Sequence, residues 1–386
     1  MKIAYLMRYW PVYGGGETVT RILVNELAER NHNVSVIYLW DRNNSTSVEI
    51  NTEIKEIKLE DIKNINDGDI DKKDYKKIFK QLKKLFNNER FDIIVNQWLP
   101  SKQVYQAAND VDSKVIKCHH GAVDYVPIIN TLKQKIFYGL LGKKAGWIRV
   151  YWQRKEDYIY SDKWVFLCDS FVEDAKKLLK IESSDKLCAI PNPLPYGIDA
   201  SSIDFSKKKH RVLYVGRMVG CKRVHFLLDA WQLIQDDSRC KDWDFVLVGD
   251  GVTLENEKSY AHEIGCKRVS FTGFKDPSPY YKEASILTMA SNREGFGMVL
   301  VEAQQYGCVP VALDSFSAVH DIISNNENGI LVKDNDLHGY ADALLNLIED
   351  DTKRKKIAEK ALVDCKKFSK EYIVDMWEQL FKEVVS

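Results

Sequence analysis

Several features that mark common protein classes are missing from this chain of 386 residues. Its 56 Lys and Arg residues are balanced by 56 Asp and Glu residues, so no overall positive field favours nucleic acid. The eight cysteines are scattered without C-x-x-C spacing, which argues against a zinc site or a disulfide framework and predicts reduced thiols in a cytosol. No uncharged apolar run reaches the roughly 18 residues that a membrane-spanning helix needs. The N-terminal segment reads as a short strand running into glycines, not as a signal peptide.

The dinucleotide fingerprint G-x-G-x-x-G is missing as well. Gly14-Gly15-Gly16 follows a predicted strand and opens a predicted helix, where glycines let the backbone approach a ligand closely. However, no acidic residue stands about 20 positions further on at a strand end to hold a ribose. A dehydrogenase is therefore disfavoured. The glycines form either a ligand-binding turn or a tight turn with Glu17 at the helix N-terminus.

What the chain has instead is an alternation of apolar strands and amphipathic helices in two halves. Lys2–Met7 and Phe91–Val95 read as strands of the first half, and Val212–Val215 opens the second. Such alternation predicts a mostly parallel sheet covered by helices on both faces. The predicted fold class is α/β, with two Rossmann-like, doubly wound domains whose strands would end at a ligand-binding cleft.

Domain bounds follow from where the alternation stops and restarts. The predicted first domain covers residues 1–200, the second covers 201–370, and a last helix covers 371–386. The polar run Ser201–His210 is predicted to be a linker or its edge, and the charge-rich Asp61–Asp74 a surface loop.

The segment Ser291–Pro310 carries the most information about function. Glu294 and Glu302 bracket the turn Gly295-Phe296-Gly297, which opens an apolar helix. Such a turn directs backbone N–H groups and the positive end of a helix at one point, where phosphate commonly binds. A carboxylate beside that point is better suited to sugar hydroxyls than to phosphate, because like charges repel. The segment therefore suggests a phosphorylated sugar.

Two cations follow the first strand of the second half. Arg217 comes directly after Val215-Gly216, and Lys222 follows five residues later on the same glycine-containing loop. Arg can grip a diphosphate with two bonds while Lys acts as a point charge. The pair would stabilise negative charge on a departing nucleoside diphosphate. The alternative of solvated cations is predicted for Lys207–Lys209 and Arg223.

His119 and His120 follow the predicted strand that ends at Cys118. At a strand's carboxyl end, a histidine could donate to a sugar hydroxyl or to phosphate. Neighbours in a strand point to opposite faces, so one of the two would serve. No carboxylate or cysteine spacing completes a metal site. A packed or exposed imidazole without such a role stays open.

The stretch Leu132–Lys155 mixes basic and aromatic residues and contains no acidic residue. Lys143, Lys144, Trp147 and Arg149 form its centre. Basic residues interleaved with aromatics suit an anionic membrane surface. Nucleic acid is the rival interpretation, without support from the rest of the chain. The third is a two-helix insertion that packs its aromatics inward and leaves its lysines in solvent.

Taken together, these motifs resemble the retaining glycosyltransferases of family 4, which have the GT-B fold. The resemblance runs over nearly the whole chain. It is most specific from Glu294 to Glu302, with seven residues between them, and on through Gly307–Val311. It is least specific at the glycine turn.

The resemblance implies a role for each motif. Arg217 and Lys222 would bind the donor's diphosphate, Glu294 with Gly295, Phe296 and Gly297 would hold the sugar and phosphates, and Glu302 would bind the ribose. Gly216 would belong to the donor-binding loop, and Gly273 and Phe274 would contact the base of the nucleotide. Gly15 and Gly16 would approach the phosphate or the acceptor. One histidine, preferentially His119, would contact the donor sugar. Trp377 and Phe381 would anchor the last helix on the first domain.

Two departures from the family pattern affect loop shape. Arg223 stands where a glycine commonly follows the lysine. The segment Asp314–Asp321 lacks the usual glycine pair and the glutamate after it.

The resemblance implies a hexosyltransferase-type enzyme that moves a sugar from a nucleoside-diphosphate sugar, with UDP-sugar favoured, to a glycan or lipid-linked glycan acceptor in surface polysaccharide biosynthesis. It implies retention by front-face displacement, with no metal and no other cofactor. The predicted location is the cytoplasm, at the inner face of the membrane. A nucleotide-sugar epimerase or a non-catalytic sugar-nucleotide-binding protein of the same architecture remains the alternative.

Overall fold

The computed structural model describes residues 1–11, 15–41, 49–65, 69–123, 143–194, 197 and 202–386. The chain divides into two compact units. The first comprises Met1–Pro195 together with Lys370–Ser386, and the second comprises Tyr196–Ser369. The C-terminal helix, Lys370–Val385, thus belongs to the first unit.

Seven strands of the first unit form one parallel sheet in the order β3-β2-β1-β6-β7-β8-β9. These strands are β1 Lys2–Tyr9, β2 Asn33–Trp40, β3 Lys55–Lys58, β6 Ile93–Asn96, β7 Lys114–Cys118, β8 Lys163–Phe166 and β9 Leu187–Ala189. The helices around this sheet are α1 Gly15–Glu29, α2 Tyr75–Glu89, α3 Ser101–Asn109, α4 Lys143–Ile159 and α5 Asp169–Leu179, with the C-terminal helix. Strand β1 is buried without interruption from Ile3 to Met7, which is typical of parallel strands covered on both faces.

Each face of the first sheet carries its own apolar core. On one face, α1 packs beside the C-terminal helix, whose Trp377 and Phe381 rings lie 5.7 Å apart and are buried. On the other face, α2 contributes Ile78, Leu82 and Phe86, spaced one helical turn apart.

Ion pairs complement the apolar docking of the C-terminal helix. Arg30 lies 2.5 Å from Asp375 and 3.1 Å from Glu378, and Lys370 lies 2.5 Å from Glu26. These pairs join the C-terminal helix to the α1 region across the whole length of the chain.

The second unit has a six-stranded parallel sheet in the order β12-β11-β10-β13-β14-β15. Its strands are β10 Arg211–Val215, β11 Asp244–Val248, β12 Val269–Phe271, β13 Ile286–Met289, β14 Val309–Asp314 and β15 Ile330–Lys333. Its helices are α6 Val224–Ile234, α7 Leu254–Glu263, α8 Ser278–Glu283, α9 Met298–Gln305, α10 Val319–Ile322, α11 Leu337–Glu349 and α12 Asp351–Asp364. This strand order is that of the doubly wound dinucleotide-binding fold. The predicted α/β class with two Rossmann-like units is confirmed.

The expectation that Asp61–Asp74 is a plain surface loop is wrong. Within it, Asn64–Ile65 (β4) pairs antiparallel with Asp69–Ile70 (β5). The Asp74 carboxylate is buried and accepts a 2.9 Å bond from the Lys63 N–H. The polar composition reflects carboxylates that satisfy backbone N–H groups, which composition alone does not distinguish from solvation.

The expectation of a solvated lysine run holds for Lys207 and Lys209 but is wrong for Lys208. The Lys208 ammonium donates to the carbonyls of Tyr281 and Tyr306 at 2.9 and 2.7 Å. Burial lowers the pKa of Lys208. The predicted linker edge is therefore attached to the second unit through this side chain.

Glycines allow the loops after β10, β11 and β12 to touch at the carboxyl edge of the second sheet. The Gly216 N–H donates to Val248 O at 3.0 Å, and the Gly249 N–H donates to Gly273 O at 3.0 Å. A Cβ at position 249, where φ is +145°, would lie 1.9 Å from the Gly216 carbonyl oxygen. Only a residue without a side chain fits there.

We therefore expect Gly249→Ala to destabilise the second unit by about 3 kcal/mol or more, because backbone must move to admit the methyl group. Gly265→Ala is the matched control: its φ is also positive, at +71°, but a Cβ there meets nothing within 4 Å. The control should cost about 1 kcal/mol, for the left-handed conformation alone. Thermal and urea unfolding of the full chain measure both changes, and equal losses would contradict the proposed contact.

Candidate functional site

The strand order of the second unit defines a switch point between β10 and β13. These neighbouring strands lead into connections that run to opposite sides of the sheet, which leaves a crevice at their carboxyl ends. Two loops border it, the β10 loop over Gly216–Arg223 and the β13 loop over Ala290–Gly297. Both were singled out by their sequence.

A lysine from one loop and a glutamate from the other meet at this switch point. The Lys222 ammonium forms an ion pair and hydrogen bond with Glu294 Oε1. Their side chains are 22% and 12% exposed, so water screens the pair only in part. The Asn292 N–H donates to the Cys221 carbonyl at 3.0 Å, which joins the two loops through the backbone as well. The structure thus brings Lys222 and Glu294 into direct contact.

Arg217 lies on the same β10 loop and is exposed. Its backbone is held in place because the Tyr214 hydroxyl donates to the Arg217 carbonyl at 3.2 Å. Its guanidinium forms no ion pair or hydrogen bond with any residue that the structure describes. The charge of Arg217 is therefore available to an anion, unlike that of Lys222.

The predicted anion-binding turn opens helix α9. Gly297 precedes the helix with φ +99°, a left-handed conformation that favours glycine. The first N–H groups of the helix have no partner within it and point out of its end. The Phe296 side chain is buried, with its ring 5.6 Å from the Phe368 ring. Phe296 and Gly295 can therefore offer a ligand only their backbone groups, while the Phe296 side chain belongs to the core.

Glu302 lies one turn inside α9, and its carboxylate is largely shielded from water. The Tyr281 hydroxyl donates to Glu302 Oε2 at 2.8 Å, and the Tyr281 ring stacks on Tyr306 at 5.5 Å. Burial raises the pKa of Glu302, and the Tyr281 hydrogen bond opposes that shift. Tyr281 thus fixes the orientation of this carboxylate, a partner that sequence reasoning missed.

Gly273 and Phe274 follow β12 at the same edge of the sheet. Gly273 has φ +69°, and no atom lies within 4 Å of the position of a Cβ there. The Phe274 side chain is 68% exposed. An exposed ring beside open backbone can stack on a planar group.

In the first unit, the corresponding switch point lies between β1 and β6. Helix α1 begins at Gly15, while Gly14 lies outside the described residues. A Cβ on Gly16 would lie 2.7 Å from the Trp98 ring. That ring stacks on His120 with centroids 4.8 Å apart, and His120 Nε2 hydrogen-bonds to Gln97 Oε1. Trp98 and Gln97 carried no signal that a single sequence reveals.

The two histidine rings contact different neighbours. The His119 ring lies 5.7 Å from the Phe166 ring and 6.0 Å from that of Trp164, and its Nε2 lies 3.5 Å from Ala122 O. Burial is the largest cause that lowers the pKa of both histidines, that of His120 to about 3. Both are therefore neutral at pH 7 and can offer a hydrogen bond but no charge.

The contacts of His119 fit a packed imidazole as well as they fit a ligand-binding role. His120 Nδ1 is buried without a hydrogen-bond partner among the described residues. Both rings border a cavity of about 10 Å³ that also touches Asn192 and Trp377. That volume suits a water molecule rather than a sugar.

The basic-aromatic stretch is represented by helix α4. Its buried positions are Val150, Arg154 and Asp157, spaced along one face. Its outer face exposes Arg149 and large apolar side chains; these are Trp147, Ile148, Trp152 and Ile159. Lys143 and Lys144 begin the helix, but their side chains lie outside the described part of the chain. The alternative of an insertion that packs its aromatics inward does not hold for Trp147 and Trp152, whose side chains are exposed.

Arg223 corrects a further expectation, since its side chain is not solvated. Only 12% of it is exposed, and its guanidinium donates to Ala290 O, Asn335 Oδ1 and Asp334 Oδ1. Its backbone, with φ 49° and ψ 49°, takes the left-handed conformation that glycine favours. The signal for this in the sequence was that Arg223 stands where the family pattern commonly has a glycine.

Metal-ligating and membrane-spanning elements were searched within the described ranges. There, no three or more His, Cys, Asp or Glu side chains cluster as ligands for a metal ion. No helix in those ranges combines the length and the apolar character required to cross a bilayer.

Comparison with solved structures identifies the fold class. A Staphylococcus aureus TarM variant, solved with fondaparinux, α-GlcNAc-glycerol and UDP, superposes with a TM-score of 0.75 at 14% identity. The match covers 99% of this chain and 100% of that one. The two doubly wound units are those of the GT-B class.

Family models identify the family. Residues 13–196 match the model described as Glycosyltransferase Family 4, and residues 198–363 match Glycosyl transferases group 1. Together these matches take in nearly the whole chain. The chain belongs to the group 1 glycosyltransferases.

Curated relatives are similar over part of their length. The amylovoran biosynthesis glycosyltransferase AmsD of Erwinia amylovora is 31% identical over 46% of this chain and 49% of its own. An α-1,4-N-acetyl-D-galactosaminyltransferase of Campylobacter jejuni, named for an undecaprenol diphosphate-linked acceptor, is 26% identical over 59% of this chain and 66% of its own. The chain thus spans about half the length of the first curated relatives it matches.

The lowered histidine pKa values predict how stability depends on pH. Below about pH 6.5 the unfolded chain binds protons at these histidines that the folded chain does not, so stability falls as pH drops towards 3 and is unaffected above about 7. Each histidine contributes a slope of up to about 1.4 kcal/mol per pH unit.

We expect the urea concentration at the unfolding midpoint to fall less steeply between pH 6.5 and 5 in His120→Gln than in the unsubstituted chain. The exposed His338→Gln is the control and should keep the slope of the unsubstituted chain. Identical slopes for all three proteins would show that His120 is protonated in the folded state. The slope, rather than the absolute stability, is compared because losing the Trp98 stack costs stability at every pH.

Proposed function

We propose that the chain transfers a sugar, with retention, from a nucleoside-diphosphate sugar to a glycan or lipid-linked glycan acceptor, without a metal ion. The observation that carries this proposal is the Lys222–Glu294 pair at the β10/β13 switch point, with Arg217 exposed on the same loop. Family membership supports the reaction class.

The charges at the switch point suit the leaving group. Breaking the bond between a sugar's anomeric carbon and a diphosphate places negative charge on the diphosphate oxygens. Arg217 and Lys222 would meet that charge from the β10 loop, and the first N–H groups of α9 from the β13 loop. Two cations and a helix end supply the electrostatic stabilisation that a metal ion supplies elsewhere, which is the ground for proposing metal independence.

The Lys222–Glu294 contact gives the two side chains their separate tasks. Lys222 would turn to the donor's phosphates while Glu294 would accept hydrogen bonds from hydroxyls of the transferred sugar. The carboxylate would then remain next to the positive charge of Lys222. Glu294 is thus suited to orient the sugar at the reacting carbon.

The remaining donor contacts are proposed from the orientation of the Glu302 carboxylate and the exposure of the Phe274 ring. The Glu302 carboxylate is oriented by Tyr281, which leaves its other oxygen, Oε1, for ribose hydroxyls. The exposed Phe274 ring would take the base. UDP is the favoured nucleotide, in keeping with the TarM structure of the same fold, which contains it.

Retention is proposed to result from front-face displacement. The acceptor hydroxyl would attack from the side that the diphosphate leaves, and its proton would pass to the departing phosphate oxygen. The neutral His119 and His120 would contribute hydrogen bonds rather than charge. The anomeric configuration of the product, read by NMR, tests this step.

The proposed acceptor comes from the relatives' chemistry. AmsD is named for amylovoran biosynthesis, and the Campylobacter jejuni enzyme for a glycan on undecaprenol diphosphate. We propose the same class of acceptor here, a surface glycan assembled on a lipid carrier.

Donor binding and turnover test the proposal together. UDP at 100 times its dissociation constant should stabilise the chain by about 2.7 kcal/mol, seen as a raised Tm. Arg217→Ala and Lys222→Ala should each lower UDP release from the UDP-sugar with the largest Tm shift by about 100- to 1,000-fold, as loss of a charge-stabilising donor does. EDTA should leave the rate unchanged.

Arg239→Ala is the matched control. Arg239 forms ion pairs with Asp237 and Glu349 at 2.7 Å in the segment before β11, at the amino ends of the strands and away from the proposed site. Its rate should be that of the unsubstituted chain. Normal turnover in purified, folded Arg217→Ala and Lys222→Ala variants would remove the proposed leaving-group roles.

We further propose that the outer face of α4 contacts an anionic membrane surface. Trp147, Ile148 and Trp152 are exposed there, and Trp152 is 60% exposed. Arg149 is exposed beside them, and the Lys155 ammonium lies 5.1 Å from the centre of the Trp152 ring. Tryptophan at a lipid interface with nearby cations is the arrangement that peripheral binding uses.

Vesicle binding tests this contact. The double variant Trp147→Ala/Trp152→Ala should bind vesicles containing anionic phosphatidylglycerol at least about tenfold more weakly, because two large apolar side chains are lost. Arg149→Glu should weaken binding to the same vesicles but not to neutral ones. Leu233→Ala/Val363→Ala removes exposed apolar groups of the second unit and should have no effect. Equal binding by all variants would count against the membrane contact.

A further inference from the structure

Arg223 connects three loops at the carboxyl edge of the second sheet. It directly follows Lys222 and precedes helix α6. Its backbone is left-handed, with φ 49° and ψ 49°, and its side chain points into the unit, where 12% of it is exposed. A long cationic side chain in a conformation that favours glycine needs compensating contacts.

Those contacts come from two other strand ends. Arg223 Nε donates to Ala290 O at 2.6 Å, at the start of the β13 loop that carries Glu294. Nη1 donates to Asn335 Oδ1 at 2.9 Å and Nη2 to Asp334 Oδ1 at 2.8 Å, both just after β15. Three of the five guanidinium N–H donors, one on each nitrogen, are therefore bonded to protein.

The backbone around Arg223 forms a tight turn that sets the position of Lys222. The Lys222 N–H donates to Val219 O at 2.8 Å, and the Arg223 N–H donates to Gly220 O at 3.2 Å. The Asn292 N–H reaches Cys221 O at 3.0 Å from the β13 loop. The guanidinium anchors the end of this turn, and the Lys222 side chain leaves from the residue before it.

We propose that Arg223 is a positioning residue: by tying the Gly220–Lys222 turn to the ends of β13 and β15, it holds the Lys222 ammonium where the donor's diphosphate binds. This inference rests on the proposed function of Lys222. It assigns Arg223 no contact with substrate and predicts that its effect passes through Lys222.

Binding of UDP and of uridine separates this role from a general structural one. Uridine has the base and ribose of UDP but lacks its diphosphate, so it reports the rest of the site. Arg223→Gly suits the left-handed backbone and removes the anchor. We expect it to weaken UDP binding about tenfold by calorimetry while uridine affinity changes less than about twofold. Arg223→Lys keeps the charge but not the three directed bonds, and should weaken UDP binding to a lesser degree.

A double-mutant cycle tests the route through Lys222. In a Lys222→Ala background, Arg223→Gly should weaken UDP binding less than about twofold further, because the group it positions is gone. Asp334→Asn removes a charged partner of Arg223 and should weaken UDP in the same direction as Arg223→Gly. It serves as a second variant should Arg223→Gly fail to fold. Arg239→Ala should change the affinity for neither UDP nor uridine.

The outcomes are distinguishable. If Lys222→Ala leaves UDP binding unchanged, or if UDP, GDP and ADP all fail to bind the unsubstituted chain, the proposed function fails and this inference with it. If Lys222→Ala weakens UDP but Arg223→Gly and Asp334→Asn do not, the positioning role is overturned and the proposed function stands. Equal loss of UDP and uridine, or an undiminished effect of Arg223→Gly in the Lys222→Ala background, shows a structural role and overturns the inference.

Discussion

The contact between Lys222 and Glu294 is the interaction on which the candidate site depends. It joins the two loops that leave β10 and β13 in opposite directions, at the point where a doubly wound sheet opens a crevice. Because both side chains are largely shielded from water, each stabilises the charge of the other. The structure thus holds a cation and a carboxylate side by side at the switch point.

Backbone constraints make that contact possible. Gly216, Gly249 and Gly273 lie on three successive strand-end loops that hydrogen-bond to one another, and at Gly249 a side chain would collide with the Gly216 carbonyl. Arg223 closes the same edge from the other side through Ala290 and the residues after β15. The charged residues thus project from a rigid frame, which is the condition for electrostatic preorganisation.

The two units differ in what their strand ends offer. The second unit presents Arg217, Lys222 and the end of α9, which together suit an anion. The first unit presents His119 and His120, which burial keeps neutral, beside the Trp98 ring stacked on His120. Neutral donors and aromatic surfaces suit sugar hydroxyls and ring faces better than phosphate. The strand ends of the two units therefore differ in the chemistry that they offer.

The sequence alone determined the α/β class, the two doubly wound units and the loops that carry the site, because periodicity, glycine-bearing strand ends and charged motifs are local properties of the chain. Through the resemblance of their motifs to a family, it also singled out Lys222 and Glu294 as donor-binding residues, but it did not predict their contact with each other. It did not reveal that Arg223 and Lys208 are held inside the fold, that Tyr281 orients Glu302, or that Trp98 supports His120. Those outcomes depend on residues between about 20 and 110 positions apart in the chain. Only the tertiary structure decides which carbonyl or ring a side chain meets, since burial and hydrogen-bond partners come from packing between strands that are neighbours in space but not in sequence.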